Sequence, residues 1–233
     1  LPALLVTAVL GIGAALVSAP SSHAAACLTS GSGTSGDPYL IGTSADLLCL
    51  MNNGADYWVA GLHFRQTADI DMTGQTPTPI GGNWVAFRGA YDGDDHAITG
   101  LSIVSGSSAP VGLFGYTVGA VFTSITVSGS ITAEHYVGGL VGIGDGGTSI
   151  TDCHSSVNVT SNNTGANHDD FGGLVGTLMN GGGITDSSAT GSVTWDGSGN
   201  ASAFGGLVGS LAGTTLSNPW SSGTVTGQSR VGG

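Results

Sequence analysis

The chain has 233 residues, 43 of them glycine, and a formal net charge of −12 from 15 acidic residues against three Arg and no Lys. A surface of that sign repels phosphate backbones and anionic lipid headgroups, which excludes nucleic acid and anionic membranes as partners. Glycine is far above its usual ~7% share, yet it is phased with Leu, Val and Ile, and disordered chains lack such regular apolar positions.

In chain order, residues 1–26 read as a secretory signal peptide. Leu4 to Val17 is almost wholly apolar and is followed by Pro20 and Ala24-Ala25-Ala26, the apolar core and cleavage region of an export signal without its basic start. The run is short for a membrane anchor and lacks flanking Lys or Arg, so the mature chain is expected to be exported with no membrane insertion. Because it opens on Leu1 and stops at Val231-Gly232-Gly233, inside a further repeat, the chain reads as a fragment of a longer protein.

Export permits disulfides. Cys27 and Cys49 both fall in the non-repeated leader and are predicted to bridge. A competing reading is lipidation of Cys27, because Ala24-Ala25-Ala26-Cys27 is a distant relative of a lipoprotein cleavage box with Ala24 where Leu is preferred. Cys153 reads as a small buried thiol.

The leader, residues 27–107, carries a predicted N-cap at Thr43-Ser44-Ala45-Asp46 before a short helix over Leu47 to Met51, an arrangement suited to covering the open end of a stack. Phe64 to Met72 and Ala97 to Ile103 alternate apolar with polar residues and are predicted as strands of the first coils.

Residues 108–233 form a repeat array. Gly-Gly-Leu-Val-Gly occurs at 138–142, 172–176 and 205–209, with a variant at Gly112-Leu113-Phe114-Gly115. Aligned on the Gly before Leu or Phe, copies stand at 112, 139, 173 and 206, with the last at 233. A period near 30 residues means stacked supersecondary units. Each unit also carries short alternating runs, such as Ile150-Thr151-Asp152-Cys153 and Val157-Asn158-Val159 in one copy and Ile184-Thr185-Asp186-Ser187 in the next. A strand of four or five residues cannot bury its apolar face alone. Repeating a three-strand turn lets each strand pair with its counterpart one coil later, about 4.7–4.9 Å away. The predicted fold is all-β: a parallel β-helix (β-solenoid) with a short helix-containing N-terminal cap. Inserts at Thr160 to Asp170 and Asp196 to Ala203 are predicted to be the most exposed places. Asn218-Pro219-Trp220 departs from the pattern, and Pro219 is expected to bend or shorten its strand.

These residues carry a resemblance. Gly112 to Gly115, Gly139 to Gly142, Gly173 to Gly176 and Gly206 to Gly209 resemble the GLUG-repeat family. The leader resembles the segment that often precedes such repeats, through Gly36 to Ile41, Ala68 to Asp71, Pro79-Ile80-Gly81 and Phe87 to Ile98. The resemblance implies a bacterial surface or secreted β-helical segment, of the kind found in adhesin-like proteins and beside the metallopeptidase domain of immunoglobulin A-cleaving proteases.

No catalytic constellation is evident. A zincin needs two His at i and i+4 with a Glu between. His23, His63, His96, His135, His154 and His168 offer no such pair, and the sole Glu is Glu134. A glycosidase or lyase needs paired carboxylates, the lyase with a basic residue. Asp69/Asp71, Asp92/Asp94/Asp95 with His96, and Asp169/Asp170 with His168 are the candidates, and no Arg is expected near these clusters to supply a base. Asp92 to Asp95 reads first as a tight turn. Among Trp58, Trp84, Trp195 and Trp220, Trp195 at the edge of an insert is the best candidate for a partner contact. The reading is a non-catalytic repeat segment of an exported bacterial protein, secreted or at the cell surface, serving as a stalk or adhesion module. It is expected to use no catalytic residue, cofactor or metal, and to meet a surface ligand such as carbohydrate or an extracellular protein. The alternatives are a β-helical carbohydrate-active enzyme using Asp69, Asp71, Asp92 or Asp94, and the accessory region of a secreted metallopeptidase.

Overall fold

A computed structural model describes residues 27–162, 170–196, 203–227 and 230–232. The predicted signal peptide, His168 and Asp169, and most of both inserts lie outside these residues. No helix among the described residues is long and apolar enough to cross a membrane.

The chain enters through a cap. Thr43 accepts a hydrogen bond from the Asp46 N–H (3.2 Å) while the Asp46 carboxylate accepts the Thr43 N–H (3.0 Å). This reciprocal pair satisfies two otherwise orphaned donors and starts the helix Ser44–Asn52. Leu47, Cys49, Leu50 and Met51 of that helix are buried. A second short helix, Gly54–Tyr57, follows, and its Tyr57 is buried.

The structure joins Cys27 to Cys49, Cα atoms 6.0 Å apart and 22 residues apart in sequence. The bridge ties the start of the described chain to the cap helix. Non-reducing peptide mapping is expected to recover one peptide pair containing both cysteines. Reduction is expected to destabilise the cap by about 2 kcal/mol, the low end for a closed loop of this length. A lipidated Cys27 would instead leave Cys49 as a free thiol. Cys153 is fully buried, and that burial pushes its thiol up to about 12, so it is an inert packing group.

The body is a parallel β-solenoid whose strands fall into four sheets. One coil runs Val141–Asp145, Ser149–Thr151, His154–Ser161 and Asp170–Gly172, one strand per sheet. The seven-stranded sheet extends from Tyr39–Ile41 to Thr215–Ser217, so the leader and the array share one continuous ladder across residues 107 and 108. The predicted three-strand turn is corrected to four. The additional strands, such as Val137–Gly138 and Asp170–Gly172, have two or three residues and end in the Gly-Gly step, which reads as a turn in sequence. The predicted strand over Phe64 to Met72 is two strands, His63–Gln66 and Ile70–Asp71, which belong to different sheets. The chain turns a corner between them.

Stacking aligns like with like. In the seven-stranded sheet Phe64, Tyr91, Phe122, Ile150, Ile184 and Leu216 are successive register partners. In the eight-stranded sheet Ile103, Ile131, Val159, Val193 and Val225 form a second column. Each such side chain, when fully covered, contributes about 1.5–3 kcal/mol of hydrophobic burial. Coverage needs a coil on both sides: Ile184 is 0% exposed, whereas Leu216 in the last coil is 45% exposed.

The repeated Gly-Leu-Val-Gly builds the corner between the two four-stranded sheets. Leu113, Leu140 and Leu174 are fully buried on its inside. The Leu174 carbonyl accepts both the Leu140 N–H (2.9 Å) and the Val141 N–H (3.1 Å), and the Leu207 carbonyl repeats this for Leu174 and Val175. The motif glycines are needed for space. A Cβ on Gly142 would stand 2.6 Å from the Val111 nitrogen and 2.7 Å from the Gly115 oxygen, both backbone atoms of the preceding coil.

Another corner uses left-handed residues. Ser124, Asp152, Asp186 and Asn218 each follow a strand of the seven-stranded sheet with φ between 48° and 54°. Asx and Ser side chains tolerate this conformation. Asn218 Nδ2 donates to Asp186 Oδ1 (3.0 Å) and Ser124 Oγ to Asp152 Oδ2 (3.1 Å), which links neighbouring corners. Pro219 lies just past this corner, before the strand Trp220–Ser221. Its register counterpart Ser188–Ala189 is equally short, so Pro219 interrupts no ladder.

Candidate ligand-binding face

Four of the carboxylates singled out in the sequence, Asp69, Asp71, Asp92 and Asp170, are engaged in local hydrogen bonds. Asp69 Oδ1 accepts the Ala97 N–H at 2.9 Å and lies 3.4 Å from His96 Nδ1. Asp71 Oδ1 accepts the Thr73 N–H at 2.9 Å. Asp92 Oδ1 accepts the Asp94 N–H at 3.0 Å, and Asp94 and Asp95 take φ of 48° and 62°: the tight turn expected there. Asp170 accepts from Thr177 Oγ1 at 2.8 Å. One expectation is corrected. Arg65 stands one coil from Asp92, its Nε 3.8 Å from Asp92 Oδ2, because strand stacking joins positions distant in sequence. Among the described residues no group of three or more His, Cys, Asp or Glu is placed to hold a metal ion.

Local hydrogen bonds favour the ionised form of two of these carboxylates. Asp69 is held below its ordinary 3.8, chiefly by the Ala97 N–H and further by His96. Asp71 is lowered by the hydroxyl and N–H of Thr73. A carboxylate depressed in the folded state stabilises the fold above its unfolded pKa, and that gain is lost as pH falls through the lower folded value. The thermal midpoint is therefore expected to decline below about pH 4. Asp71→Asn should remove part of that decline, as followed by circular dichroism across an acid series.

The tryptophans separate into two kinds. Trp58 Nε1 donates to the Leu50 carbonyl at 2.8 Å, and Trp195 is partly buried against the core. Both pack at least partly against the core. Trp84 and Trp220 are each 53% exposed. Trp220 lies in the last coil, where inward positions are also uncovered. Trp84 lies on the side of the solenoid. It stands edge-to-face with Tyr116 (centroids 5.9 Å) and Tyr136 (6.3 Å). Tyr116 Oη donates to Asp145 Oδ2 at 3.4 Å, and Asp145 Oδ1 accepts from Asn180 Nδ2 at 2.8 Å. Burial and the Asp145 carboxylate raise the Tyr116 phenol, while Arg88 acts the other way. Trp84 also lines a groove of about 500 Å³ together with Trp58, Val59, Val85, Ala86 and Arg88. Sequence reasoning missed this face because its residues come from separate coils.

Fold and corner together define a class: a parallel β-solenoid of repeated glycine-cornered coils. The family model described as "The GLUG motif" matches residues 133–160 and 170–194, so two coils of the array carry that motif. It is 35% identical over 189 residues to halomucin of Haloquadratum walsbyi, covering 78% of this chain and 2% of that protein. It is 38% identical over 91 residues to a "Putative Gly-rich membrane protein" of Evansella cellulosilytica, covering 36% of this chain and 10% of that one. The chain thus spans a small fraction of the length of these relatives. A solved structure titled as a "putative immunoglobulin A1 protease" from Bacteroides ovatus superposes with a TM-score of 0.56 at 19% identity, over 84% of this chain and 69% of that one. That likeness shows the fold.

Proposed function

We propose that this chain is a non-catalytic segment of an exported surface protein, a stalk that also presents a contact face. The observation that carries it is how the polar residues are used. The carboxylates of Asp69, Asp71 and Asp92 accept backbone N–H groups and that of Asp170 accepts a threonine hydroxyl, while Asp152 and Asp186 link neighbouring corners, within one ladder that runs through leader and array. Such a ladder grows by adding coils, each stabilised by its neighbours, which suits a spacer. Similarity to halomucin and to a protein named for the membrane supports a surface location.

Antibody raised against residues 27–227 is expected to label intact cells of the source organism, and protease added outside should remove the label. Label seen only after lysis would overturn the surface reading. Incubation with neutral and acidic polysaccharides should release no reducing ends or unsaturated products. Release that disappears in Asp71→Ala would overturn the non-catalytic reading.

A further inference from the structure

We propose that Trp84, Tyr116 and Tyr136, with Asp145 and Arg88 beside them, form a platform that stacks a neutral pyranose ring of an extracellular polysaccharide; this rests on the surface reading above. The first support is conformational. Asn83 and Trp84 both occupy the left-handed region, with φ of 51° and 64°. A Trp is uncommon in that region; here the two residues form the centre of a tight turn closed by the Val85 N–H donating to the Gly82 carbonyl at 3.0 Å, which fixes where the indole projects. The fold gains little from Trp84 in return: 53% of it is exposed, and its neighbour Val85 is 56% exposed.

The second support is rigidity. Tyr116 lies in the strand Phe114–Val118, and Tyr136 directly precedes the strand Val137–Gly138 that closes the same coil. Their interplanar angles with Trp84, 63° and 75°, prop the indole while leaving much of it open to solvent. Aromatic side chains held this way offer large contact area at low entropic cost.

The third support is the polar fringe. A pyranose has one apolar C–H face and a rim of hydroxyls. The indole suits the face. Asp145, fixed by Tyr116, Asn180 and the Gly146 N–H (2.6 Å), accepts from hydroxyls, and the exposed Arg88 donates to them. Charge selects among sugars. The chain carries −12 overall with only three cations, and Asp145 is part of the platform. A uronate polymer is therefore repelled and a neutral one is not.

The test uses the intact chain with cellohexaose and mannohexaose as neutral probes, hexagalacturonate as the acidic probe, and an apolar heptapeptide as a non-sugar control. Binding is read by tryptophan fluorescence and calorimetry. At least one neutral hexasaccharide is expected to bind saturably at millimolar concentration or below. Trp84→Ala should weaken it by roughly 10- to 30-fold, as for loss of an anchoring aromatic. Trp84→Phe should retain most of the affinity, Trp220→Ala should leave it unchanged, and circular dichroism should show Trp84→Ala folded. No saturable binding by either neutral sugar, preference for hexagalacturonate or the peptide, or unchanged affinity in Trp84→Ala would each overturn the platform. Surface labelling that succeeds while sugar binding fails removes only the platform. Sugar binding by a protein confined within the cell removes only the surface reading.

Discussion

Replacing Phe122 with alanine is expected to cost about 3–5 kcal/mol, the usual range for emptying a fully buried aromatic site. Phe122 is 0% exposed. Its ring lies 4.4 Å from Phe114 and 6.0 Å from Phe87, and its register partners are Tyr91 below and Ile150 above. A void there removes contacts from two neighbouring coils and two sheets, and the surrounding backbone ladders limit collapse. In a repeat array each coil leans on the next, so the urea transition should also broaden as the two halves uncouple. A loss under about 1 kcal/mol, typical of exposed sites, would mean that this aromatic stack is not packed as described.

Gly176→Ala is expected to destabilise by about 3 kcal/mol or more, at or above the upper end for overpacking. A Cβ there would stand 2.6 Å from the Gly142 oxygen, 2.9 Å from the Val137 nitrogen and 3.0 Å from the Tyr136 carbonyl carbon. All three are backbone atoms of the preceding coil, so no side chain can swing aside. The coil spacing itself must open. Gly36→Ala is the control, because nothing lies within 4 Å of that position and its change should be within about 0.5 kcal/mol. Equal midpoints for the two variants in thermal melts would show that the motif glycine is not a spacer between coils.

Much of the architecture was legible because stacking repeats the same physical demand at a fixed period. Ile150 and Ile184 align in sequence and are register partners. Cys153 and Ser187 share a slot, and the Cys153 N–H donates to Ser187 Oγ at 3.0 Å. The N-cap at Thr43 was legible because capping is local chemistry. The fourth sheet was hidden because its strands are two or three residues long and end in glycine. The corner at Thr67 to Asp69 was hidden because an alternating run looks alike whether straight or folded over an edge. The Arg65–Asp92 approach and the aromatic face around Trp84 were not legible at all. Both are made by residues 20 to 52 positions apart that only the pitch of the solenoid brings together.

The account depends on coils piling up with one register step each. Leu40, Arg65, Asp92, Thr123, Thr151, Thr185 and Ser217 are successive partners along the seven-stranded sheet. Paired spin labels at Leu40→Cys with Thr151→Cys, Thr185→Cys or Ser217→Cys, measured by pulsed dipolar spectroscopy, test this directly. The expected separations are about 19, 24 and 29 Å, one strand spacing per coil. Separations that fail to rise by one spacing per coil, or broad distributions without a maximum, would contradict the stacked solenoid and everything built on it.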